Sequence, residues 1–277
     1  MFAVVAALAW GAAAAADSKP MHVMSLNLCV DGLILDLLPA ERIASVTYLS
    51  RSPSNSFRSL EAARVPINYG TAEEVLLEKP DLVLAGTYTT TGTRAMLNRL
   101  GVNFLEVPPA NSFDDIRAVT RRVGQALGEE RKAELLIAKM DATLSELSAD
   151  KPSGVIRVSG WNAGGSIPGK GTLFDAILTT AGGVNIASSL PDSRSGSFDI
   201  EELLMARPDV LAYGADSNGT PALRTDADQH PLILKIYKNR RIRYPEVLYS
   251  CGVPEIADAT QEFQSKLLAA MKQHDQP

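Results

Sequence analysis

One segment occurs twice in this chain. Residues 71–86 read TAEEVLLEKPDLVLAG, and residues 199–214 read DIEELLMARPDVLAYG. Each copy has a Glu-Glu pair, an apolar stretch at helical spacing, Pro-Asp, and a short apolar run ending in Gly. The first Glu precedes the Pro by seven positions in both (Glu73 to Pro80, Glu201 to Pro208). A duplication of this kind in 277 residues implies two lobes on one plan, about 100–130 residues each. Two similar lobes enclose a cleft, and clefts are where ligands bind.

The stretches around the repeat alternate between two patterns. His22–Leu28, Ile43–Tyr48, Leu82–Ala85, Asn103–Val107, Val155–Trp161 and Ile242–Pro245 read as short strands, rich in aliphatic and β-branched residues. Asp31–Leu38, Thr93–Leu100, Leu173–Thr180, Pro231–Ile236 and Pro254–Met271 read as helices. This alternation predicts an α/β fold of mainly parallel sheets with helices on their faces. Residues 112–150 form a longer helical pattern, with Ile116, Val119, Val123, Leu127 and then Leu135, Ile137, Met140, Leu144, Leu147 on one stripe. Gly128 either interrupts it or is absorbed by it. The expected division is a leader at 1–16, an N-terminal lobe at 17–111, a connecting helix at 112–150 and a C-terminal lobe at 151–277.

Residues 1–16, MFAVVAALAWGAAAAA, read as the apolar part of a secretory signal with cleavage after Ala16, too short for the roughly 20 residues of a spanning helix. The protein is therefore expected in the periplasm. A net charge of −5 and a pI near 5.3 argue against nucleic acid or an anionic membrane as the main partner. Export favours a disulfide between the two cysteines, Cys29 and Cys251, but free thiols, or thiols that meet the ligand, are equally compatible with the residues. Neither cysteine sits in a zinc-binding pattern.

Enzymatic chemistry finds little footing. NAGGSIPGKGT (162–172) approaches a phosphate loop, but Gly171 stands where Ser or Thr is required. No GxSxG elbow is present, and His22, His230 and His274 belong to no nucleophile–base pattern. The Glu pairs fall at helix starts, where acids compensate the helix dipole. Glu73 and Glu201, matched between the lobes, also suit docking onto a basic partner. Candidate ligand contacts lie just past strand carboxyl ends: Asn27, Cys29, Tyr48, Ser50, Thr87, Tyr88, Trp161, Asn162, Tyr213, Tyr249 and Cys251. Their aromatic content suits a large planar or greasy ligand.

The segments SLNLCVDGLILDLLPAERIASVTYLS, TAEEVLLEKPDLVLAG, GGVNIA, FDIEELLMARPDVLAYG and YSCGVPEI together resemble periplasmic substrate-binding proteins of iron-siderophore and cobalamin ABC importers. The resemblance covers about residues 20–272. It implies two Rossmann-like lobes joined by a long rigid helix, a ligand cleft between them, and a receptor that performs no chemistry and needs no cofactor. It implies a ferric siderophore or a corrinoid as the transported ligand. It also implies an ABC permease dimer with its ATPase subunits as partner, docked through Glu73 and Glu201, and a monomeric receptor. A cofactor-binding enzyme or a sensor domain on the same scaffold is the alternative.

Overall fold

The computed structural model describes residues 19–149, 152, 154–161, 166–189, 195–197, 199–214, 230–244 and 249–274. The leader, Asn162 and most of the loop at 214–224 lie outside them.

The N-terminal lobe runs β1 (Val23–Ser25), α1 (Leu28–Leu37), β2 (Ile43–Thr47), α2 (Ser59–Ala62), β3 (Ile67–Asn68), α3 (Ala72–Glu78), β4 (Leu82–Gly86), α4 (Thr91–Arg99) and β5 (Phe104–Val107). Its strands pair in parallel in the order β3-β2-β1-β4-β5. Every residue of β2 and β4 is buried, as expected of parallel strands covered on both faces. One face carries Met24, Ala44, Val75, Val83 and Leu97, covered by α3 and α4. The other packs Val23, Leu82 and Leu84 against α1.

Residues 112–150 form two helices, α5 (Phe113–Leu127) and α6 (Glu130–Ala149). Ser112 caps α5 by accepting the Asp115 N–H. Gly128 ends the helix in the left-handed conformation, φ 65°, which glycine adopts without a Cβ clash. The two helices fold back as an antiparallel pair, with Arg117 bonded to Asp141 and Arg121 to Glu134. Gly124 allows the close approach, since a Cβ there would lie 2.5 Å from that of Ala133. Of the two readings of Gly128, interruption is the one observed, and the connecting segment is a helical hairpin. Its first arm covers the N-terminal lobe, and its second, the 20-residue α6, packs on the C-terminal lobe.

That lobe contains β6 (Ile156–Trp161), β7 (Ser166–Pro168), α7 (Leu173–Thr180), β8 (Gly183–Asn185), β9 (Ser195–Ser197), α8 (Ile200–Ala206), β10 (Val210–Gly214), α9 (Pro231–Ile236), β11 (Arg241–Tyr244) and α10 (Ile256–His274). The main sheet is parallel, β11-β10-β6-β8, and β7 pairs antiparallel with β9. A single apolar core runs through both lobes from α1 and α5 to α7 and α10. Smaller cores lie under α3/α4 and under α8/α9.

Candidate functional site

The repeated segment has one backbone solution in both lobes. Thr71 and Asp199 are N-caps, and each forms a capping box with the second Glu of the pair, Glu74 or Glu202. Both helices end at a non-glycine residue in the left-handed region, Lys79 (φ 50°) and Arg207 (φ 47°). Pro follows, and then the Asp clips the next strand to the first strand of its lobe. Asp81 accepts the N–H groups of Met21 (2.6 Å) and His22 (3.1 Å), while Asp209 accepts that of Arg157 (2.8 Å). Pro-Asp and the second Glu are therefore structural. The first Glu is not needed for any of this. Glu73 and Glu201 are exposed, and neither makes a hydrogen bond or ion pair among the described residues. Capping belongs to their neighbours, while Glu73 and Glu201 sit in the first turn, where an acid also suits the helix dipole.

In each lobe the strand order reverses beside the first strand, between β1 and β4 and between β6 and β10. Open α/β sheets bind ligands in the crevice outside the strand ends at such a switch point. In the N-terminal lobe this crevice is a small pocket open to solvent. Asn27, Cys29, Thr87 and Tyr88 line it, as do the apolar Val30, Leu33, Val107, Pro108 and Val119. Ser250 and Gly252 reach in from the C-terminal lobe. None of the described lining residues is charged. Asn27 is fixed in place because its Oδ1 caps α1, accepting the N–H groups of Cys29 and Val30. Its amide lies over Gly86, where a Cβ would approach within 2.2 Å. This accounts for the glycine that ends the first repeat.

Cys29 and Cys251 form a disulfide, with Cα atoms 4.9 Å apart. It joins the start of α1 to the segment before α10 at the edge of the cavity. Beside it Arg58 contacts both Asp36 on α1 and Glu255 ahead of α10. Burial, followed by the nearby Glu255, pushes the Asp36 carboxyl up to about 8, against the opposing pull of Arg58.

The remaining candidates divide. Tyr48 and Tyr69 stack at 5.0 Å between centroids at the carboxyl ends of β2 and β3, and both are well exposed, 47% and 66%. Tyr88, at the end of β4, is 82% exposed. Tyr69 was not among the sequence candidates, because β3 is only two residues long and gives no strand pattern to mark its end.

Ser50 is not a cleft residue. It is fully buried and donates to Asp31, as do the N–H and hydroxyl of Thr47. Burial outweighs these hydrogen bonds and pushes the Asp31 carboxyl up to about 7.

Trp161 is 1% exposed and packs with Ile167, Leu203, Leu211 and Tyr237 under α8 and α9. Tyr249 is buried against Tyr244, with its phenol pushed up to about 12 by burial. Both are core residues rather than cleft walls. Tyr213 is half-buried with the Arg241 guanidinium over its ring at 4.4 Å. Asn162 is outside the described residues.

The profile of the family described as "Periplasmic binding protein" matches residues 23–244. The chain belongs to the periplasmic binding protein family. These are substrate-binding transport proteins, not a class of enzymes. Solved structures of similar fold include the haem-binding protein RhuT from Roseiflexus, with a TM-score of 0.76, 22% identity, and coverage of 91% of this chain and 99% of that one. The vitamin B12 binding protein BtuF of Vibrio cholerae has a TM-score of 0.69, 17% identity, and coverage of 92% and 99%. A curated relative, the uncharacterized ABC transporter substrate-binding lipoprotein YvrC of Bacillus subtilis, is 25% identical over 47% of this chain. The matched region spans 41% of that relative's length. Among the described residues no helix is long and apolar enough to cross a membrane, and no cluster of His, Cys, Asp and Glu is arranged to hold a metal ion.

Proposed function

We propose that this family member is the exported receptor of an ABC importer, capturing a metal chelate with a broad flat face, a corrinoid or ferric chelate, and delivering it to a dimeric permease. One observation carries the choice of ligand. The pocket at the β1/β4 switch point has mainly apolar walls and no charged residue among those described in its lining, and the same end of the sheet presents a stacked tyrosine pair with Tyr88. Aromatic faces offer large contact area with few rotors to freeze. An anionic catecholate chelate would call for cations in that lining. Relatives of this fold are named for haem and for vitamin B12, which supports a macrocyclic ligand. Glu73 and Glu201, exposed and without a partner among the described residues, suit delivery, since such carboxylates can meet basic groups of a partner.

Calorimetric titration with cyanocobalamin, haemin, a ferric hydroxamate and a ferric catecholate tests the reading. A macrocycle or the hydroxamate should bind at micromolar or tighter Kd, weakened roughly tenfold by Tyr69→Ala, given the value of one stacked aromatic contact. Binding of the catecholate alone, or unchanged affinity in Tyr69→Ala, would overturn it.

A further inference from the structure

The helices α3 and α8 correspond residue by residue: Glu73 to Glu201, Glu74 to Glu202, Val75 to Leu203, Leu76 to Leu204, Leu77 to Met205. The second Glu is spent in the capping box and the next residue is buried in both. Leu77 is 81% exposed and Met205 76%, placing both among the four most exposed large apolar side chains described. Each lies four positions after the free glutamate. On a helix that spacing puts two side chains on one face, about 5–6 Å apart at Cβ. Each lobe therefore presents a carboxylate and an apolar knob side by side, at the same place on the same kind of helix.

Folding does not ask for these knobs. Lys, Gln or Glu has helix propensity close to that of Leu and Met and would leave no apolar surface in water. A single exposed leucine is unremarkable. The same oddity at matched positions of a duplicated unit, each time beside an exposed acid with no partner among the described residues, is not accounted for by stability.

We infer that Leu77 and Met205 are apolar anchors that insert into a membrane permease dimer, each entering a pocket beside a basic residue. The inference rests on the reading that Glu73 and Glu201 face that permease. Two copies of one surface on a single chain fit a partner that offers two copies of one receiving surface, as a twofold dimer does. Charge complementarity assigns the basic residue next to each pocket. The two parts of each unit have different tasks. The carboxylates steer the encounter and set its salt dependence, and the buried apolar side chains hold the complex and set its lifetime.

The test uses the mature chain and its permease–ATPase complex in lipid nanodiscs, with association and dissociation rates followed at low and high salt. Leu77→Ser and Met205→Ser should each speed dissociation roughly tenfold, as expected for losing one buried aliphatic contact, with association rate and salt dependence unchanged. Leu60→Ser is the control. Leu60 is 77% exposed but has no counterpart in the repeat, and its loss should change nothing. Glu73→Gln with Glu201→Gln should slow association and flatten its salt dependence. If the glutamine variants behave so while the serine variants dissociate like the parent, the anchors are disproved and the docking reading stands. If neither set moves, the docking reading itself falls. Faster dissociation in the serine variants with no effect of the glutamines keeps the anchors and removes the carboxylates.

Discussion

The α3 unit and the α8 unit differ where they meet their own lobes. Thr71 caps one and Asp199 the other. Val75 fills the small core of the N-terminal lobe, while the larger Leu203 packs in a core built around Trp161 and Tyr237. Asp81 collects two backbone N–H groups and Asp209 one. On the outer face the units match: a free glutamate, then an exposed apolar residue one turn later. The inward differences show each copy fitted to its own packing. The outward likeness shows a constraint that packing does not impose.

A second matched pair makes the same point deeper in the fold. Asp31, in the first turn of α1, binds Thr47 at the end of β2 and Ser50 three residues on. Asp175, in the first turn of α7, binds Asn185 at the end of β8 and Ser188 three residues on. Asp31 is fully buried, whereas Asp175 keeps partial contact with solvent. One clip is dry and the other wet.

Breaking the inner cores should give the largest effect. Trp161→Ala is expected to destabilise by about 3–5 kcal/mol, as for large aromatic truncations. Val75→Ala, in the smaller core, should destabilise by about 2 kcal/mol, the value of the methyl groups lost. Urea unfolding followed by circular dichroism reads both. A Trp161 variant as stable as the parent would remove that residue from the core.

The dry clip gives the next effect, and it depends on pH. Asp31 holds its proton up to about 7 in the folded chain, well above the carboxyl of an unfolded one. Raising the pH ionises the unfolded chain first, so stability is fully present below about pH 4 and is lost as pH rises through 7. The loss is on the order of a few kcal/mol. Asp36, raised to about 8, adds to it in the same direction. Asp31→Asn should reduce the slope between about pH 4 and 7, leaving the part due to Asp36. A slope between about pH 4 and 7 undiminished in this variant would mean that the Asp31 clip is not a source of it.

The smallest effects separate cap from outer face. Thr71→Ala and Asp199→Ala should each lower stability by about 1 kcal/mol. Glu73→Gln and Glu201→Gln should stay within about 0.5 kcal/mol of the parent. Thermal melts that reverse this order would return the first glutamates to a structural role and undo the contrast drawn between the two faces.

The duplicated unit and its strand–helix alternation were legible in the sequence because apolar spacing and the Pro-Asp that follows each helix are local and recur, whereas the left-handed helix ends and the Asp clips emerge only in the structure. The cavity residues Asn27, Thr87 and Tyr88 were legible because they follow strands whose ends the sequence marks. Trp161 was misplaced for a reason of parity. Ile156, Val158 and Gly160 face the main core while Trp161 points the other way, and only tertiary packing reveals that α8 and α9 cover that side. Tyr249 and Ser50 were misplaced because a position after a strand was taken as exposed, when a 3₁₀ turn or a neighbouring helix buries it. The hairpin at residues 112–150 was half legible. Its apolar stripe runs through both helices, and only the backbone at Gly128 shows the reversal.

The bond between Cys29 and Cys251 has a topological side. It joins positions separated by 222 residues, so everything from α2 to β11 belongs to one covalent ring, with β1 and α10 outside it. A protease that cuts any loop within that ring opens the circle without dividing the molecule. The nicked chain would run as one species on a non-reducing gel and as two after thiol treatment. A backbone break anywhere in the ring thus leaves the two halves joined through Cys29 and Cys251.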